Sequence, residues 1–189
     1  MIPNNQQIAE RVQKIIAEIL QLPIEEVKPD SLLGEELGAT SMDYVETQFR
    51  LEVDFEVEFY KDSVVEKLAE IFAPEKLVAG GLLTSFGAAV LRLRMPEIDP
   101  ARLCEGKPVA GIEAMYTPRS WVRVVKELLN AAPKTCPSCG SDQVQAVKPL
   151  ISLCQKCRTE IRRPSGEDCL RAWARSAADS LRSAPQSRG

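Results

Sequence analysis

Two groups of residues in this chain have types and spacings that could do chemistry. The first centres on one hydroxyl. In Leu37-Gly38-Ala39-Thr40-Ser41-Met42-Asp43 a glycine bend leads into a helix start, with Thr40 as the cap and Asp43 at the acidic third position. Ser41 is thereby presented outward, and a phosphodiester on its oxygen would lie at the positive end of the helix dipole, beside unpaired N–H groups. The second group is thiols: Cys136-Pro137-Ser138-Cys139 and Cys154-Gln155-Lys156-Cys157 are two C-x2-C pairs fourteen residues apart. Each pair can offer two thiolates from one tight turn, and a hairpin of that length brings the turns around a single tetrahedral ion. Four sulfur ligands leave no open coordination position, so structural zinc is expected; iron in a sulfur site and unligated thiols are the alternatives.

What the chain lacks narrows the chemistry further. There is no histidine, which removes Ser-His-Asp and Cys-His catalysis in their usual forms. Six cysteines without a basic and apolar export segment at Met1–Asn5 point to reduced or metal-bound thiols, and no apolar run approaches a membrane span. A cytoplasmic protein that does not contact membranes is expected. The net charge of −3 conceals an asymmetry: residues 1–74 hold 6 Lys/Arg against 16 Asp/Glu, a net of −10, and the remainder holds 18 against 11, a net of +7. Halves so charged either have different partners or attract each other.

The elements that must position Ser41 follow from periodicity. Ile8, Val12, Ile15, Ile16 and Ile19 recur at helical spacing over 6–20, and Leu22-Pro23 ends that helix. Leu32 and Leu33 lie in the long loop that follows. After Ser41, Met42, Val45 and Phe49 are expected to face inward, with Asp43, Glu46 and Glu52 outward. The stretch Leu51 to Phe59 alternates strictly, which by pattern alone argues for a strand. Asp62 or Ser63 can cap a further helix carrying Val64, Val65, Leu68, Ile71 and Phe72, closed by Pro74.

The run from Leu37 to Glu46 resembles the Leu-Gly-Ala-Asp-Ser-Leu-Asp-x-Val-Glu signature of acyl carrier proteins, with Thr40 in place of the acid before the serine. The resemblance covers about residues 5–73 and implies a four-helix bundle that catalyses nothing itself. It implies that Ser41 bears 4′-phosphopantetheine, whose thiol holds an acyl group for fatty acid, polyketide or peptide-like assembly. It also implies that a phosphopantetheinyl transferase and acyl-processing enzymes dock on the acidic second helix, through Asp43, Glu46 and Glu52. The second helix is then expected to run to about Phe55, with Val57 and Phe59 turned inward from an extended segment. Thr47 and Gln48 stand where the family places apolar residues, which points to a short, polar or aromatic cargo.

The whole chain is therefore expected to be mainly α: a carrier bundle over 1–74, a helical connecting region over 75–132, a zinc-ribbon hairpin with a C-terminal helix over 133–183, and a frayed tail over 184–189. Phe86 to Leu93 reads as a short helix or a strand, and Thr117-Pro118 starts a helix to about 131 with Trp121, Val122, Val125, Leu128 and Leu129 on one side. Its Arg119, Arg123 and Lys126 form either a solvated face or a contact with the acidic carrier helix. Val144, Val147, Leu150 and Leu153 fit short strands flanking the cysteines Cys136, Cys139, Cys154 and Cys157, which are expected to coordinate the ion. Arg158, Arg162 and Arg163 follow the second pair, but a moderate basic excess with few aromatics argues against nucleic acid as partner. Cys104 and Cys169 are expected to pack as small apolar residues, and Glu167 to Leu181 as a last helix that leans on the ribbon. A different class of function is open to the same residues: an interaction or regulatory protein whose carrier fold is degenerate and whose ribbon carries the activity.

Overall fold

The computed structural model describes residues 3–148 and 150–183, so the expected tail over 184–189 lies outside the described residues. Helix α1 spans Asn5–Leu20, capped by Asn4 in a reciprocal box with Gln7, and buries Ile8, Val12, Ile15 and Ile16. A 3₁₀ turn at Ile24–Glu26 and an irregular loop lead to α2, Ser41–Phe55. Phe55 is followed by Glu56 in a left-handed conformation (φ 52°), which ends the helix and turns the chain into an extended segment. Val57 and Phe59 are buried there, as expected. Helix α3, Val64–Phe72, starts on Ser63 and completes the N-terminal bundle.

The basic second half wraps this bundle. After the short helix α4 (Pro74–Leu77), strands β1 (Val78–Ala79) and β2 (Leu82–Leu83) form a hairpin around Gly80 and Gly81, and α5 (Ser85–Arg94) resolves the ambiguous 86–93 stretch as helix. Helix α6, Pro118–Asn130, lies across α1. One continuous core runs from Ile8 through Leu68, Leu91 and Trp121 to Ala174. At the seam, Leu33 N–H donates to Tyr116 O, Gly34 N–H to Ala114 O and Arg119 N–H to Pro29 O. A Cβ at Gly34 would lie 2.8 Å from the Ala114 Cβ, so this close approach depends on glycine.

Attraction between the halves has named partners. Arg119 reaches Asp30 through two bonds of 2.6 and 2.7 Å, and Arg102 reaches both oxygens of Glu35. Arg119 holds the Asp30 carboxyl below its ordinary value. These pairs are solvent-exposed, and such pairs contribute about 0–1 kcal/mol each. Burial of Tyr116, Trp121 and Val125 against the bundle therefore holds the seam, and the ion pairs set its register. The acidic targets lie in the loop before α2, not on α2 itself. Arg123 turns inward instead, to Glu97 and, more distantly, Glu127.

Strands β3 (Val144–Lys148), β4 (Ile151–Cys154) and β5 (Glu160–Arg162) form an antiparallel sheet in that order, one strand more than a hairpin. Leu150, expected in a strand, is in the turn between β3 and β4 with φ 61°. Helix α7, Gly166–Ser183, packs on α3, α5 and α6 rather than leaning on the ribbon, burying Cys169, Leu170 and Ala174. Cys104 departs from expectation by lying exposed; Cys169 is buried. No helix among the described residues is long and apolar enough to cross a membrane.

Candidate functional site

Ser41 is the first residue of α2 and is exposed, and among the described residues its hydroxyl has no hydrogen-bond partner. The turn before it is fixed from both sides. Gly38 takes φ 71°, Ala39 N–H donates to Leu33 O at 2.8 Å, and Thr40 donates both its N–H and its hydroxyl to Asp43 Oδ2 at 2.7 Å. Those two donors, the backbone one first, hold the Asp43 carboxyl below its ordinary value. Asp43 is thus committed to the cap, and the helix N-terminus is ready for a further negative group.

The faces of α2 differ from the sequence expectation. Met42, Val45, Phe49 and Val53 are 72, 63, 63 and 64% exposed, whereas the inward face is Tyr44, Thr47, Leu51 and Phe55. The expectation that Met42, Val45 and Phe49 point inward is corrected here: the neighbouring stripe, with two aromatics and a leucine, fills the bundle. Of the acidic residues assigned to docking, Glu46 is exposed, but Glu52 accepts the Phe59 N–H at 2.8 Å and so pins the extended segment after the helix. The solvent face around Ser41 is apolar as much as acidic.

Beside Ser41 a cavity of about 410 Å³ opens between α2, the 59–63 segment and residues 111–124 of the second half. Ser41, Tyr44, Phe59, Tyr60, Tyr116 and Trp121 line it. The Tyr60 and Tyr116 hydroxyls meet at 3.2 Å, tying the bundle to the extension across its floor. Glu113, also on the wall, has its carboxyl pushed up by burial and then by Glu66. Sequence reasoning missed this cavity, because six of its sixteen lining residues are separated from Ser41 by seventy positions or more.

Residues 10–70 match the family model of the phosphopantetheine attachment site. The matched segment contains α2 and Ser41 and ends within α3. The cavity's second wall, Gly111 to Val124, lies outside it. No solved structure gives a significant match to the chain.

The second chemical group is also assembled. The Sγ atoms of Cys136, Cys139, Cys154 and Cys157 all lie within 4.8 Å of one another. Cys136 to Cys157 is 3.6 Å and Cys139 to Cys154 is 3.7 Å. A disulfide would bring sulfurs to about 2.05 Å. Around an ion with sulfur bonds of about 2.3 Å, a regular tetrahedron has edges of about 3.8 Å, so these spacings suit a four-thiolate metal site. Gly140, at φ 69°, closes the first knuckle, and Cys154 N–H donates to Thr159 O in the second. The four cysteines named from sequence are the four brought together.

Proposed function

We propose that the protein is a carrier that bears 4′-phosphopantetheine on Ser41, holds an acyl or related group on it as a thioester, and presents that group to partner enzymes without catalysing a reaction itself. The observation that carries this reading is an exposed, unpartnered serine at the N-terminus of the second helix of a segment that matches the phosphopantetheine attachment family. When attached, the group supplies a thiol at the end of a long arm. The chain's part is to hold its phosphodiester at the α2 N-terminus, where the Thr40–Asp43 box leaves the first turn ordered and Ser41 outward.

Intact-mass measurement after incubation with a phosphopantetheinyl transferase and coenzyme A tests this directly. One added phosphopantetheine, located on Ser41 and lost in Ser41→Ala, is the expected result. Failure to add it with several transferases overturns the carrier reading and leaves an interaction protein built on the same fold.

The partner face follows from the solvent side of α2. Phe49 and Val53 continue the line of Met42 and Val45 away from Ser41, with Glu46 beside them, and we assign docking of transferase and acyl-processing enzymes to this apolar stripe. Burial of a phenylalanine is worth about 1.5–3 kcal/mol, or roughly tenfold to a hundredfold in affinity. Phe49→Asp is therefore expected to lower the rate of Ser41 modification at limiting transferase by about tenfold or more while the melting temperature is kept, because the side chain is already in solvent. An unchanged rate would move docking elsewhere.

For the four-cysteine site we assign zinc in a closed, structural role. Four sulfurs within 4.8 Å of one another, two of the spacings near the edge of a zinc–thiolate tetrahedron, and the absence of any other ligand type in the cluster support it.

A further inference from the structure

The cavity next to Ser41 has no counterpart in the carrier segment alone, since Gly111, Glu113, Tyr116 and Trp121 belong to the extension. Its lining is unusual for this chain. The sequence contains 5 Phe, 3 Tyr and 2 Trp, and half of these ten rings, including every tyrosine, line this one cavity. Phe59 and Tyr116 both meet the Trp121 ring in edge-on contacts with centroids 5.6 Å apart. Walls of this kind offer ring faces and ring edges together, the surroundings in which a further flat ring packs best.

Two polar groups of the lining residues are left over. The Trp121 indole N–H and the Tyr44 hydroxyl are buried, and neither has a hydrogen-bond partner among the described residues. The Gly34 amide lies near the Tyr44 hydroxyl, but its N–H is already given to Ala114 O. A buried donor left unpaired costs about 1–3 kcal/mol, which a carbonyl oxygen brought within reach would offset. The alternative home for a cargo, the bundle interior, contains the Thr47 hydroxyl, less favourable for a long alkyl chain. A volume near 410 Å³ is at the lower end of the range for small-ligand sites, about 300–1,000 Å³.

We propose that this cavity receives the end of the arm carried on Ser41, and that the group it fits is a short aromatic acyl thioester. The inference rests on the carrier reading, because the arm must first be attached at Ser41. The extension then has a defined role, since with Tyr116 and Trp121 it closes a chamber over the cargo in the same chain, shielding the thioester from water and stray thiols. The position of Ser41 on the wall itself makes this geometry available without rearrangement of α2.

The test uses the full chain loaded at Ser41 by a phosphopantetheinyl transferase from benzoyl-coenzyme A and, separately, from hexanoyl-coenzyme A, 3′,5′-ADP leaving in each case, and each addition is first confirmed by mass. Cleavage of each thioester by hydroxylamine is then compared with cleavage of the same thioester on free pantetheine. An aromatic pair contributes about 0.5–1.5 kcal/mol beyond area burial, so the benzoyl form is expected to be protected about 2- to 10-fold more than the hexanoyl form. The Trp121 indole N–H resonance is expected to shift in the benzoyl form alone. Val124→Phe, which fills the wall, is expected to abolish both effects; Tyr44→Phe, which keeps the shape, is expected to lower the protection while leaving the melting temperature unchanged. If the arm attaches but benzoyl and hexanoyl thioesters are cleaved alike and the indole resonance does not move, the chamber is refuted and the carrier reading stands. If no arm attaches, both fall.

Discussion

Cys154→Ser is expected to abolish metal binding and to unfold the three-stranded sheet while leaving the helical body intact. Little besides a bound ion would hold the ribbon. Its buried cluster consists of Cys136, Cys154 and Ile161, with Cys139 and Val144 partly buried against it, and two of those three buried residues belong to the four-cysteine cluster itself. A core this small cannot offset the cost of ordering the strands, about 1–2 kcal/mol per residue. A bound metal would supply the difference, since structural zinc in zinc-finger peptides binds with an apparent free energy of about 10–16 kcal/mol near neutral pH. Metal analysis should therefore find one zinc per chain, and hydrogen exchange should show the amides of Gln145 to Leu153 losing protection in Cys154→Ser or in strong chelator. Equal protection with and without chelator would show that the sheet stands without the ion. A coloured protein with bound iron would overturn the assignment of zinc while keeping the four ligands.

The second large effect is expected at Gly166. Its N–H donates to Glu58 O at 2.6 Å, and a Cβ there would lie 2.5 Å from Tyr60 N and 2.7 Å from the Phe59 carbonyl carbon. Both obstacles are backbone, which cannot rotate away as a side-chain tip can. Gly166 also begins α7, which carries the fully buried Leu170 and Ala174 into the common core. Gly166→Ala must therefore push either α7 or the 58–60 segment out of place, with an overpacking cost of about 1–3 kcal/mol or more. For a chain of this size that lowers the melting temperature by roughly 2–12 °C. Glu167→Ala, one position along and half-buried, loses only a solvent-facing pair to Arg171 and is the control that should change little. A melting temperature for Gly166→Ala within a degree of the parent would mean that α7 does not depend on this contact.

Why one face of α2 was misread from sequence can be stated physically. The solvent stripe Met42, Val45, Phe49, Val53 and the core stripe Tyr44, Thr47, Leu51, Phe55 have the same spacing of three, four and four, offset by two positions. Hydrophobicity favours the wrong one, because the core stripe contains a threonine and a tyrosine. Only the packing partners decide, and these come from α1 and from the extension. The capping box at Thr40 and Asp43, the starts of α3 and α6, and the clustering of the four cysteines were legible because each depends on residues close in sequence or on an explicit spacing. The alternating run after Leu51 was legible only through the family resemblance, since helix and extended segment share it. The cavity and the seam were not legible: Arg119 and Asp30 are 89 positions apart, and nothing local to either announces the other.

The seam also bears on how Ser41 is approached. Here Gly111, Glu113 and Ala114 rise on one side of it, fixed by the Gly34 and Leu33 amides to the loop immediately before α2. On the carrier reading a visiting enzyme would have to leave room for that parapet, so shape would sort its visitors before any side chain is read.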